Sequence, residues 1–182
     1  MTDSTDLAMF RYIHKELFNR SPDLQEIQHF KTNFFNSLRS SYLSFPKLFT
    51  EVSGAKQFVE QLYNGEEWKL AIATGCWSES ASIKLKAIGL EQLNIPISSS
   101  DAIMGRQHIL SNACILAEEH YRSEGFEKIY YFGDGMWDYQ SAKALDLKFV
   151  GVDFNNNNTF YDAKPDFVIK DFVDVGSILD KL

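Results

Sequence analysis

Apolar residues recur at helical spacing through the first third of the chain. Leu7, Phe10, Ile13 and Leu17 form one such series, and Ile27, Phe30, Phe34 and Leu38 form another after the Ser21-Pro22-Asp23 break. Residues 1–50 are therefore expected to form a small helical subdomain. Its aromatic residues (Phe10, Phe18, Phe30, Phe34, Phe35, Tyr42 and Phe45) read as the packing between its helices, because large rings dominate small cores. After Pro46 the texture changes to short apolar runs alternating with helical patterns. Helices are predicted over 54–63, 79–88, 109–121, 139–145 and 173–182. Strands are predicted over 69–74, 128–133, 148–152 and 167–169, with a short extended piece at 95–98. The run from Lys128 to Gly133 is continuously apolar in its middle, as suits a strand covered on both faces. Alternating strands and helices over 51–182 imply an α/β fold: a doubly wound, Rossmann-type parallel sheet with its ligand crevice at the carboxyl ends of the strands. The run Asn155 to Asn158 reads as a surface turn, since Asn tolerates left-handed backbone.

Composition narrows the function classes. The 182 residues are 45% hydrophobic and carry a formal net charge of −7, with a sequence pI near 5.1. That charge opposes contact with nucleic acid, and no basic run offsets it locally. No window supplies the ~18 uncharged apolar residues of a membrane span, and the first twenty residues lack the apolar core of a signal peptide. A cytoplasmic protein is the expectation. Cys76 and Cys114 lie in apolar segments and read as small buried thiols with no redox role.

Two strand ends carry candidate chemistry. Phe132-Gly133-Asp134-Gly135-Met136-Trp137-Asp138 places two carboxylates four residues apart across a turn that opens a helix. Hard oxygen ligands of this kind suit Mg2+, which takes one or two carboxylates together with waters and substrate oxygens. Helix capping by the same two residues explains the spacing equally well, and both readings stay open. At Ile72-Ala73-Thr74-Gly75-Cys76-Trp77 a hydroxyl and backbone N–H groups meet at a helix start. That makes either an anion seat or a simple cap.

Taken in order, the strand ending at Thr74, the segment from Asp101 to Arg106, the Gly133-Asp134-x-x-x-Asp138 turn and the closing Lys164-Pro-Asp-Phe-Val-Ile-Lys-Asp171 resemble the haloacid dehalogenase-like (HAD) hydrolases. The resemblance runs from that family's second motif to its end. It implies a phosphatase-type enzyme that hydrolyses phosphomonoesters of small metabolites with Mg2+. In it Asp134 and Asp138 would hold the metal, Thr74 would hold the phosphate, and Arg106 would stand where the family usually has lysine. It also implies that residues 1–50 form a small cap controlling access to the site. Lys84 and His108 do not match the lysine position well. The family's first motif, an apolar strand followed by Asp-x-Asp-x-Thr, carries the nucleophilic aspartate and does not occur in this sequence. Asp3 and Asp6 follow no strand, and Asp3 or Ser4 reads as the cap of the first helix.

An impaired hydrolase with weak Mg2+ binding is the resulting expectation, and a non-catalytic anion- or protein-binding module is the alternative. In the resembling fold the missing strand is central. The expected repairs are therefore direct pairing of the strands ending at Thr74 and Gly133, a strand supplied by another segment or partner chain, or an N-terminal extension. A dinucleotide-binding module is discounted, because no Gly-x-Gly-x-x-Gly occurs.

Overall fold

The computed structural model describes residues 4–174 and 176–180. Two helices lead, α1 (Asp6–Phe18) and α2 (Leu24–Ser44), followed by a short 3-10 turn at Pro46–Leu48. Then come α3 (Ala55–Asn64), β1 (Ile72–Ala73), α4 (Ser78–Ala87), β2 (Ile97–Ser98), α5 (Arg106–Tyr121), β3 (Tyr130–Gly133), α6 (Met136–Ala144), β4 (Lys148–Val152), β5 (Phe167–Ile169) and α7 (Gly176–Leu179). β1, β2 and β3 are shorter than predicted, β4 and β5 have the predicted bounds, and α5 starts earlier than the periodicity indicates.

Thr5, in extended backbone, caps α1: its hydroxyl accepts from the Ala8 N–H at 3.2 Å. This corrects the reading of Ser4 as the cap; Asp3 lies outside the described residues. Helix α1 stops at Asn19, whose left-handed φ of 52° ends the helical bonding. Asp23 opens α2 through a reciprocal cap with Glu26. Glu26 also takes both Arg20 guanidinium nitrogens, at 2.8 and 2.5 Å, and so ties the turn between the helices to the start of α2. The hydrogen bond from Arg20 is the main reason the Glu26 carboxyl is held down at about 2.

The two helices do not make a core of their own. No residue of α2 is buried, and Phe18 and Phe45 are each 61% exposed. Phe10 stacks on Phe30 at 4.2 Å, but Phe30, Phe34 and Phe35 all turn to Trp77, with ring centroids 5.7–6.1 Å away. Trp77, just ahead of α4, is 1% exposed. The aromatic residues expected to pack the helices against each other are thus divided. Some seal α2 against the α/β body, and others face solvent, because two helices cannot enclose seven rings between them.

The α/β body has helices on both faces. Successive residues of β4 point to opposite sides, as strand geometry requires. Val150 and Val152 join Phe58 and Leu62 of α3, while Phe149 joins Leu110 of α5, Ala142 of α6 and Phe160. All strand pairs are parallel. Two sheets result: β1 with β2 (Ile72 opposite Ile97), and β3-β4-β5 (Phe132 opposite Val150, Val152 opposite Ile169). The parallel, helix-covered architecture is as expected, but the direct pairing of β1 with β3 does not occur. Ala73 packs against the α5-side cluster that also contains Tyr131, so both sheets lie under α5 without their backbones meeting. For the same reason β3 is half-buried along its length rather than enclosed.

Both cysteines are half-buried, Cys76 in the turn after β1 and Cys114 on the flank of α5. Burial is the main cause of a raised Cys114 pKa. The Asn155–Asn158 turn does form. Asn156 and Asn158 take positive φ, and Asp153 accepts from the Asn157 and Asn158 N–H groups at 3.1 and 3.0 Å. No helix among the described residues is long and apolar enough to cross a membrane.

Because Trp77 is the one indole on which three rings of α2 converge, Trp77→Ala is expected to cost about 3–5 kcal/mol, by loss of transfer energy plus a cavity. Phe45→Ala, at a surface ring, should stay within about 0.5 kcal/mol. Urea unfolding followed by circular dichroism distinguishes the two.

Candidate functional site

The acidic turn at the end of β3 is shaped by glycine. A Cβ on Gly133 would lie 2.5 Å from Asp138 Cβ and 2.8 Å from its carboxyl carbon, so only glycine lets the first turn of α6 fold back onto the strand end. Asp138 is 3% exposed. Its Oδ1 accepts from the Tyr131 hydroxyl at 2.7 Å, its Oδ2 accepts from the Gly135 N–H at 3.2 Å, and Arg106 Nε lies 3.2 Å from Oδ1. The Arg106 contact is an ion pair whose angle is too poor for a hydrogen bond, and Nε has no other partner among the described residues. Burial dominates the Asp138 carboxyl and raises its pKa, and nearby Asp134 adds to the rise; Arg106, Tyr131 and the Gly135 N–H oppose it. The Tyr131 hydroxyl is pushed up by its own burial first and by the charge of Asp138 second.

Arg106 is the first residue of α5, entered through Gly105 at a φ of 96°. Its side chain reaches the turn after β1. A Cβ on Gly75 would meet Arg106 Nη2 at 2.9 Å and the Ser4 carbonyl oxygen at 2.8 Å. The guanidinium therefore spans from the carboxyl end of β1 to the carboxyl end of β3.

Thr74 Oγ1 accepts from the Cys76 N–H at 3.1 Å and closes its own turn. The next donors are also engaged: Trp77 N–H donates to Asp6 Oδ2 at 2.9 Å, and Ser78 N–H donates to Asp101 Oδ2 at 2.8 Å. This corrects the expectation of open backbone N–H groups there. The chain's own carboxylates already answer the positive end of α4. Asp101 also accepts from Lys31 of α2 at 2.6 Å and from the Ser99 hydroxyl at 2.7 Å. Burial alone would raise its pKa, but the bonds from Lys31, Ser99 and Ser78 outweigh that and hold it at about 2.

The four residues singled out by sequence thus divide. Arg106 and Asp138 are in contact, Thr74 closes the turn whose glycine touches Arg106, and Asp134 is exposed beside Asp138 on a cleft of about 270 Å3. His108 is exposed, with Nδ1 3.3 Å from the carbonyl oxygen of Met104 one turn earlier; Lys84 donates to Cys76 Sγ at 3.0 Å. Neither joins the site. Sequence reasoning missed Asp6, whose partners stand more than seventy positions away (Trp77 N–H, and Ser80 Oγ at 3.3 Å), and Tyr131, which read as one more apolar strand residue. No local signal marks Asp6. An apolar strand holding a tyrosine two residues before the Gly-Asp turn could have marked Tyr131, since a buried phenol needs a partner.

No group of three or more His, Cys, Asp or Glu arranged for a metal ion occurs among the described residues. The donor chemistry nonetheless suits Mg2+ held mainly by water and substrate oxygens. Asp134 presents an exposed carboxylate, and Asp138 stands behind it with both oxygens already in use.

Comparison with known proteins identifies the family and the fold. The profile of the family described as haloacid dehalogenase-like hydrolase matches residues 2–152. Three solved structures share the fold. A hydrolase from Pseudomonas syringae is 18% identical with a TM-score of 0.70, over 98% of this chain and 79% of its own. A structure described as a predicted phosphoglycolate phosphatase from Haemophilus somnus is 17% identical with a TM-score of 0.63, over 98% of this chain and 80% of its own. A haloacid dehalogenase-like family hydrolase from Streptococcus pneumoniae is 15% identical with a TM-score of 0.58, over 96% of this chain and 92% of its own. No curated protein matches the sequence. The chain belongs to the haloacid dehalogenase-like hydrolase family.

Two of the carboxylates with shifted pKa values, Asp101 and Asp138, act in opposite directions on stability. Asp101 is depressed when folded, so its contribution is present above about pH 4 and is lost as pH falls toward about 2. Asp101→Asn should therefore flatten the acid limb of a stability-against-pH curve in that window. Asp138 is raised, so folded protein holds its proton more tightly than unfolded protein, and stability declines as pH rises through the folded value. Removing its cation by Arg106→Met should cost about 3–5 kcal/mol at neutral pH. The deficit in urea midpoint should grow as pH rises.

Proposed function

We propose that this chain is the body of a Mg2+-dependent phosphatase-type hydrolase acting on phosphomonoesters of small metabolites. The observation that carries this is the buried Arg106–Asp138 pair, set between the carboxyl ends of β1 and β3 with the exposed Asp134 beside it. That is a cationic and an acidic element side by side at the crevice where α/β folds take ligands. In this reading Asp134 holds the metal together with water and phosphate oxygens, and Asp138 acts behind it. Bound Mg2+ would neutralise charge on the phosphoryl group. Arg106 offers its guanidinium to phosphate while Asp138 and Tyr131 fix its direction, and the Thr74 hydroxyl donates to a phosphate oxygen. Residues 1–50 act as the cap, latched to the body by Trp77 and by Lys31 on Asp101. The description of one fold neighbour as a predicted phosphoglycolate phosphatase is in keeping with phosphomonoester chemistry. A cytoplasmic setting without nucleic-acid partners is part of this reading, and the net charge of −7 is its support.

None of the described residues is assigned as the nucleophile. The Asp-x-Asp-x-Thr motif does not occur in the 182 residues, and Asp6 is committed to the start of α4. In this reading a strand from further sequence or from a partner chain pairs between the β1-β2 sheet and β3-β4-β5 and ends beside Arg106; the lack of pairing between the two sheets supports it. A second reading, a non-catalytic relative, is favoured by one observation: Asp6 and Asp101 already fill the donors at the start of α4.

Hydrolysis of p-nitrophenyl phosphate separates the two readings. With Mg2+ the 182-residue chain should stay at background. The same chain extended by an apolar strand ending in Asp-x-Asp-x-Thr should turn over, and Asp134→Asn in it should lower kcat/KM by about 100-fold or more. Silence of both forms would favour the non-catalytic relative; Mg2+-dependent turnover by the unextended chain would place the nucleophile among its own residues.

A further inference from the structure

The cleft at Asp134 is lined by the turn from Asp134 to Trp137 and by residues of the 152–159 segment, and Arg106 does not line it. We propose that this space receives the planar ring of the substrate, and that the substrate class is nucleoside monophosphates. The phosphate end of this assignment rests on the phosphohydrolase reading; the ring end rests on the cleft itself.

Two large aromatic residues line it while remaining well exposed, Trp137 at 38% and Phe154 at 41%. Exposed rings at the mouth of a cleft leave apolar faces wet until a flat ligand covers them. The Trp137 indole packs against the glycine turn. Its ring lies over Gly135, in space any Cβ there would take, beside the same turn that presents Asp134.

The 153–159 loop is pinned by its own hydrogen bonds. The carboxylate of Asp153 holds the Asn157 and Asn158 N–H groups and, at 3.4 Å, the Thr159 hydroxyl, and Phe160 anchors the end of the loop in the core at 5% exposure. On this loop Asn155 and Asn157 line the cleft, and no hydrogen bond of either amide side chain is found among the described residues. An amide offers a donor and an acceptor side by side, which complements the ring nitrogen and exocyclic group of a base. A sugar or aliphatic phosphate would leave both aromatic faces uncovered. The acidic balance of the chain disfavours a polyphosphate and allows a single phosphate group.

The test is binding to the 182-residue chain, by calorimetry and tryptophan fluorescence, of adenosine, adenosine 5′-monophosphate and ribose 5-phosphate. Adenosine should bind and quench fluorescence, and ribose 5-phosphate should bind at least about tenfold more weakly. Trp137→Ala and Phe154→Ala, both at surface positions and checked for folding by circular dichroism, should each weaken adenosine by about 5- to 100-fold. Equal affinity for ribose 5-phosphate, no adenosine binding at millimolar concentration, or undiminished binding by both folded variants would overturn the proposal. Failure of the phosphohydrolase reading shows elsewhere: adenosine would still bind, but adenosine 5′-monophosphate would resist hydrolysis by the extended, Mg2+-supplied chain.

Discussion

The guanidinium of Arg106 is the interaction on which the arrangement of this protein depends. It leaves the first turn of α5, passes the glycine that ends the β1 turn, and pairs with a carboxylate buried at the start of α6. Three segments far apart in sequence are thereby registered on one cation. Two of the glycines around it are spatial necessities: Gly75 gives Arg106 room, and Gly133 gives Asp138 room. A buried carboxylate without its cation is strongly unfavourable, so the pair sets the relative placement of the two sheets even though no backbone bond joins them.

The same logic of compensation governs the start of α4. A helix opening toward a crevice would ordinarily present free N–H groups, yet here Asp6 and Asp101 take them. Each carboxylate thereby ties a different region to the helix: Asp6 brings α1, and Asp101, through Lys31, brings α2. With Trp77 buried under the rings of α2, the leading helices are held to the body by apolar and polar contacts gathered around a single helix terminus. Helices with so little core of their own would otherwise have no reason to adopt one position.

Much of the fold was legible because periodicity is local. The alternation of helix and strand after Pro46 and the turn at Asn155–Asn158 follow from the spacing and conformational preferences of a few neighbouring residues. Thr74, Asp134 and Asp138 could be named because ligand chemistry in α/β folds gathers just beyond strand ends, and Arg106 because of the family resemblance. What remained hidden was non-local. The splitting of the sheet depends on which strands find one another, and Tyr131 reads in one dimension like any apolar strand residue.

By itself, then, the sequence determined the class of fold, the acidic turn at Asp134 and Asp138, and the family to which the chain belongs, because each is written in spacings of a few residues. Only the tertiary structure decided that Arg106 pairs with Asp138, that Asp6 and Asp101 occupy the start of α4, and that Trp77 anchors the leading helices. Those outcomes turn on contacts across tens of residues. There the cost of a buried charge, an unanswered N–H or an uncovered indole is settled by whichever distant side chain can reach it.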